Sequence, residues 1–211
     1  MIPFGGLADA GVRAGDTVVI APATGRFSGA AVITALAMGA NVVAVGRRQK
    51  ALDVLLTQLG KPTSLKTAVV VGDVEKDTAA LSHAVGARGA DVVLDLSPPA
   101  AGANGKTPSH LLAGLNVLRR GGVLSLMGGI GGTIAIPHSP IVFKNLVIRG
   151  RFMYERDHIE QVIKLVESGK LLLGKAVGMK TVAEYGLAEF ERAVNEAAKL
   201  PGWGECVQIV P

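Results

Sequence analysis

Short runs of β-branched residues, alternating with helical stretches, constrain this chain more than any other feature. Thr17-Val18-Val19-Ile20-Ala21 is the first run and Asp91-Val92-Val93-Leu94-Asp95 is another, and neither alternates polar with apolar side chains. A strand that is apolar on both faces must be covered on both faces, the condition of a parallel sheet between layers of helices. The spacing predicts strands at 17–21, 41–45, 67–71, 91–95, 123–127 and 145–148. Helices are predicted between them at about 30–39, 49–59, 75–85 and 109–118. Further helices at 157–168 and 187–199 and a short strand at 206–210 follow, while 132–140 reads as loop. Six strands in two βαβαβ halves make a doubly wound α/β fold whose ligand crevice lies outside the carboxyl ends of the strands.

Composition narrows the function classes. With 49% hydrophobic and 18% charged residues over 211 positions, the chain has the means to bury a core, and intrinsic disorder is excluded. Aromatics make up only 4% while there are 28 glycines, which suits helices packed closely on a sheet. The net charge of +5 comes from scattered basic residues, with no basic stripe or interleaved aromatics, so no nucleic-acid partner is expected. No apolar run reaches the ~18 residues of a membrane span, and no basic, then hydrophobic, leader opens the chain. A soluble, cytoplasmic protein without a membrane partner is expected. The single cysteine, Cys206, excludes an internal disulfide framework and is read as packing in its strand. His83, His110, His138 and His158 are far apart and read as surface or loop residues, so no metal site is expected.

The first strand–turn–helix carries the most chemistry. In Ala21-Pro22-Ala23-Thr24-Gly25-Arg26-Phe27-Ser28-Gly29, the dinucleotide fingerprint G-x-G-x-x-G/A falls on Ala23, Gly25 and Ser28. Only the middle position is glycine, and there a side chain would bar a pyrophosphate from the helix N-terminus. The same letters also fit a plain strand-to-helix turn; the strand before and the helix after favour the fingerprint. The tip of the second strand reads Val45-Gly46-Arg47-Arg48, where an NAD-specific site would place Asp or Glu. Two guanidiniums beside a glycine suit a 2′-phosphate, so NADP(H) is expected over NAD(H). The third strand's end offers Asp73 beside an adenine, the fourth offers Ser97, and the fifth offers the loop from Gly128-Gly129 to Gly132, where backbone can approach a ligand. Asp95 is a crevice or helix-start residue and is not read as catalytic.

Two motifs fail on inspection. Ala100-x4-Gly105-Lys106-Thr107 lacks the first glycine of a phosphate-binding loop and runs straight into Pro108. Thr24-Gly25-x3-Gly29 suggests a short-chain dehydrogenase, but Tyr154 is followed by His158 and Tyr185 by Glu189, so the Tyr-x3-Lys pair is missing.

Beyond single motifs, an ordered set of stretches resembles the C-terminal, cofactor-binding portion of the medium-chain dehydrogenase/reductase superfamily, the alcohol dehydrogenase-like and quinone reductase-like enzymes. These stretches are 11–20, 35–40, 89–95, 118–128 and 165–170, with the closing helix–strand run to Pro211, and they cover nearly the entire chain. The resemblance implies a Rossmann dinucleotide-binding domain at 17–170, entered by a leader at 1–16 and followed by a C-terminal extension at 171–211. It implies that Gly25, Arg26, Phe27 and Ser28 meet the pyrophosphate, and that Gly46, Arg47 and Arg48 meet the 2′-phosphate. Ser97, Gly128, Gly129, Arg151, Phe152 and Met153 are implied to approach the nicotinamide half. In relatives the sixth strand often pairs with its mate across a dimer axis, which implies a homodimer.

The superfamily's N-terminal barrel-like domain, which carries the zinc ligands of zinc-dependent members and most of the substrate pocket, is absent from this sequence. The expected function is therefore the NADP(H)-binding domain of an oxidoreductase that moves hydride to or from a small carbonyl or activated alkene. The acid, base and any metal are expected outside this chain. The alternative is a non-redox protein, isomerase- or cyclase-like or regulatory, on a truncated dehydrogenase scaffold. A methyltransferase-like reading fares poorly, because Gly46 stands where an acidic residue would be wanted.

Overall fold

A computed structural model describes residues 1–102, 105–200 and 202–211. The β-branched runs become one six-stranded sheet: β1 (Thr17–Ala21), β2 (Asn41–Gly46), β4 (Ala90–Asp95) and β5 (Leu118–Leu126) lie inside it, with β3 (Leu65–Val69) and β6 (Val147–Gly150) at its two edges. The order is β3-β2-β1-β4-β5-β6 and every pairing is parallel. The chain thus reverses direction across the sheet between β1 and β4, which opens the crevice at their carboxyl ends. This is the doubly wound Rossmann architecture expected.

Alternate side chains of each strand feed two cores. Val18 and Ile20 of β1 join Leu94, Leu52 and Leu55 on one face, while Val19 joins Val43, Val93, Leu111 and Leu115 on the other. The first face is covered by α1 (Ile2–Asp9), α2 (Arg26–Ala37) and α3 (Gln49–Gln58), the second by α4 (Val74–Val85) and α5 (Ser109–Val117). Gly114 lets α5 lie close on the sheet, since a Cβ there would be 2.8 Å from Val93 Cγ1.

Boundaries differ from the sequence reading in instructive places. The stretch read as a leader carries α1, whose Phe4 and Leu7 are buried in the protein interior. Two glycines in IPFGGLAD argue against a helix locally, yet Gly5 is what lets α1 sit under Met153, whose carbonyl would be 2.6 Å from a Cβ. β3 begins two residues early, and β5 begins at Leu118, its register with β4 shifting between Ala90 and Val92. Gly121 takes up that bulge with φ +73°. The stretch read as loop, 132–140, already enters α6 (His138–Phe143) at His138. After α7 (Arg156–Glu167), the C-terminal extension forms its own unit. β7 (Lys180–Gly186), which has no continuous apolar run, pairs in parallel with β8 (Glu205–Val210) across α8 (Phe190–Lys199).

Candidate functional site

The crevice begins at the N-terminus of α2. Gly25 is the N-cap, in extended conformation at φ −81°, and its N–H donates to Ser28 Oγ at 2.9 Å. The first intrahelical bond runs from Gly29 N–H to Gly25 C=O, 2.7 Å. Among the described residues, the backbone N–H groups of Arg26, Phe27 and Ser28 therefore have no partner, as the first turn of a helix requires. Gly25 is exposed, so these donors and the positive end of the helix dipole face solvent across an open glycine. Ala23 takes a different place from the one a fingerprint glycine suggests. It is fully buried, with its N–H on Val45 C=O at 2.7 Å, and supports the turn from beneath. The hydroxyl of buried Ser28 is likewise spent within the turn.

The tip of β2 abuts this turn. A Cβ at Gly46 would lie 3.1 Å from both Thr24 Cγ2 and Leu52 Cδ2, so a larger residue would push the two apart. Arg47 and Arg48 follow, both exposed and without an ion pair among the described residues, and Arg48 is the N-cap of α3. Cations at a helix start are mildly unfavourable, so their placement is not explained by helix capping. At the end of β3, Asp73 caps α4 by accepting from Lys76 N–H at 2.9 Å. The sequence reading passed over Asp77, which is fully buried and holds the same loop by accepting from Val71 N–H at 2.7 Å and Gly72 N–H at 3.3 Å.

The far half of the crevice is built on a polar cluster. Asp95 Oδ1 accepts from Ser97 N–H at 3.2 Å and Ser97 Oγ at 2.5 Å, and Ser97 Oγ also meets His110 Nε2 at 2.7 Å. A serine has one hydroxyl proton. With that proton given to Asp95, the contact to His110 needs the imidazole to donate from Nε2. His110 is thus a correction to its reading as a surface residue: the first turn of α5 carries it inward, and its side chain is only 15% exposed. Gly128 closes the cluster, since a Cβ there would be 2.6 Å from Asp95 Oδ2 and 2.8 Å from both Ser97 N and O. Gly129 N–H donates to Ser97 C=O at 2.8 Å, tying the ends of β4 and β5 together beyond the sheet.

At the end of β6, Arg151 N–H donates to Leu126 C=O at 2.9 Å and its Nη2 pairs with Glu155 at 2.8 Å. Phe152 projects with 85% of its surface exposed, and Met153 has φ +58°. These three therefore stand beside the β5 tip. His158, by contrast, accepts from Glu155 N–H through Nδ1 and packs edge-on against Phe4, a structural role.

The Ala100–Thr107 stretch lies partly outside the described residues. A concavity of about 800 Å³ lies at the opposite end of the sheet, between Arg88, Arg119, Arg120 and Lys144. Three of these cations are already engaged: Arg119 with Asp91, Arg120 with Phe143 C=O, and Lys144 with the carbonyls of Asn116 and Leu118.

A family model described as zinc-binding dehydrogenase matches residues 28–168. No curated protein matches the chain. Among solved structures, a thermostable alcohol dehydrogenase from Pyrobaculum aerophilum is 22% identical with a TM-score of 0.68, covering 100% of this chain and 54% of that one. An NAD-dependent alcohol dehydrogenase is 21% identical with a TM-score of 0.69, covering 100% of this chain and 57% of that one. A 2-octenoyl-CoA carboxylase reductase, in complex with NADP and 2-octenoyl-CoA, is 19% identical with a TM-score of 0.68, covering 97% and 50%. At such identities the structures show the fold, and the chain spans about half the length of each. With the family model matching most of its length, the chain belongs to the zinc-binding dehydrogenase family and carries that family's cofactor-binding domain.

Proposed function

We propose that the chain binds NADP(H) across the crevice, as the cofactor-binding part of an oxidoreductase that acts on a small carbonyl or activated alkene. The observation that carries this reading is the pair of guanidiniums, Arg47 and Arg48, beside Gly46 and next to the N–H groups of Arg26, Phe27 and Ser28, all without a partner among the described residues. The amides suit a pyrophosphate, and the guanidiniums suit a 2′-phosphate that NAD(H) lacks. Gly128 and Gly129 keep the floor beside Ser97 free of side chains for the nicotinamide half. The cofactor, when bound, supplies or accepts hydride at C4 of its ring; the chain's task is to hold and orient it.

One structural neighbour is described with NADP and another as NAD-dependent, so the preference for NADP(H) rests on Arg47 and Arg48 alone. Among the described residues no group of three or more His, Cys, Asp or Glu side chains comes together, and we assign no step to a metal. We also place a second copy of the chain along β6, an outer edge of the sheet whose four residues are all exposed. Among the described residues no helix is long and apolar enough to cross a membrane. The lone Cys206 suits a reducing compartment such as the cytoplasm.

Titration with NADPH and NADH, on the wild type and on Arg47→Ala and Arg48→Ala, tests the reading. Each lost charge-assisted contact should weaken NADPH about 10- to 100-fold and leave NADH nearly unchanged. Equal or tighter binding of NADH by the wild type would overturn the assignment to NADP(H).

A further inference from the structure

The C-terminal extension touches the Rossmann layer at the cofactor turn itself. Between α8 and β8, the backbone N–H of Trp203 donates to Thr24 C=O at 3.2 Å. The indole lies against Gly29 in the first turn of α2, where a Cβ would run into the ring. Trp203 is flanked by two glycines that need their freedom. Gly202, at φ +145°, would bring a Cβ to 2.6 Å from Thr24 O, and Gly204, at φ +105°, would bring one to 2.8 Å from Gln58 Oε1. Gln58 ends α3 and also receives Gly178 from the far side of the extension, 2.8 Å from Gln58 Cβ to a Cβ built at Gly178. Gly29, one residue past the fingerprint's last position at Ser28, admits an indole.

This contact bears on the phosphate donors. Thr24 C=O and Gly25 N–H belong to one planar peptide unit. Trp203 holds its oxygen and Ser28 Oγ holds its hydrogen, so the unit is fixed at both ends. The next three N–H groups, those proposed for the pyrophosphate, take their direction from it. The seam is not as well satisfied as a core. Among the described residues, Trp203 Nε1 and Gln58 Oε1 are both buried without a hydrogen-bond partner, and such orphaned groups weaken the closed form. A weakly closed seam is one that a ligand can bias.

We propose that Trp203 is a positioning residue for the pyrophosphate turn, acting through Thr24 and Gly29, and that nucleotide binding and docking of the C-terminal extension are coupled. The proposal rests on the NADP(H) reading above. Coupling is reciprocal: the docked indole favours the phosphate, and the phosphate favours the docked indole to the same extent.

The test compares two ligands on the full chain. NADPH needs the pyrophosphate turn, whereas adenosine 2′-monophosphate carries only the 2′-phosphate end. Trp203→Ala should weaken NADPH about tenfold while leaving adenosine 2′-monophosphate within about twofold, and Trp203→Phe should recover most of the loss. Gly29→Ala, which displaces the indole from the α2 side, should repeat the pattern. In the wild type, NADPH but not adenosine 2′-monophosphate should slow proteolysis within 171–211, and Trp203→Ala should abolish that protection. Equal weakening of both ligands, or of neither, would overturn the latch while leaving the cofactor reading intact. A wild type that binds no NADPH would overturn both.

Discussion

Gly128→Ala is the most direct perturbation of the far half of the crevice. The new methyl would sit 2.6 Å from Asp95 Oδ2 and 2.8 Å from the backbone N and O of Ser97. None of these is the free end of a flexible side chain: Asp95 and Ser97 are buried, and their positions are fixed by the bonds to each other and to His110. Overpacking a site of this kind costs about 1–3 kcal/mol. Displacing Ser97 also strains the bond from Gly129 N–H to Ser97 C=O, worth about 1 kcal/mol. A loss of about 2–4 kcal/mol is expected, which for a chain of this size lowers Tm by roughly 5–15 °C. The control lies three residues on. Gly131 has no atom within 4 Å of a built Cβ and no positive φ, so Gly131→Ala should be neutral or stabilise by about 0.4–1 kcal/mol through the unfolded chain. Urea unfolding followed by circular dichroism measures both. If the two variants unfold within about 0.5 kcal/mol of each other, the close approach of Gly128 to the Asp95–Ser97 cluster is refuted.

Two further substitutions test buried polar groups. Asp77→Ala strands the N–H groups of Val71 and Gly72 and should lower stability by about 2 kcal/mol in the same urea assay; an unchanged midpoint would mean that solvent replaces the carboxylate. Ser97→Ala removes the hydroxyl between Asp95 and His110, with an expected loss of about 1–3 kcal/mol in thermal melts. It should also shift the ring resonances of His110 in proton NMR, and unmoved resonances would show that the imidazole does not depend on Ser97.

What the sequence determined follows from the range over which its signals act. A run such as Val18-Val19-Ile20 can be buried on both faces only in a covered sheet, so strand identity and the doubly wound order follow from local composition. Gly25, Arg47 and Arg48 could be placed because they stand immediately beyond such runs, where this architecture puts the crevice. The tertiary structure decided what no period encodes. α1 contradicts its own two glycines because close packing outweighs propensity. β7 lacks an apolar run and becomes a strand by pairing with β8. His110 reaches Ser97 because the rotation of α5 on the sheet turns it inward, and a histidine in a helix sequence carries no mark of that rotation. Trp203 meets Thr24 from the other end of the chain, through a contact of one amide and one ring. Periodicity reports burial along one element, whereas polar partners are chosen by the relative placement of several elements, and that placement exists only once the core has formed.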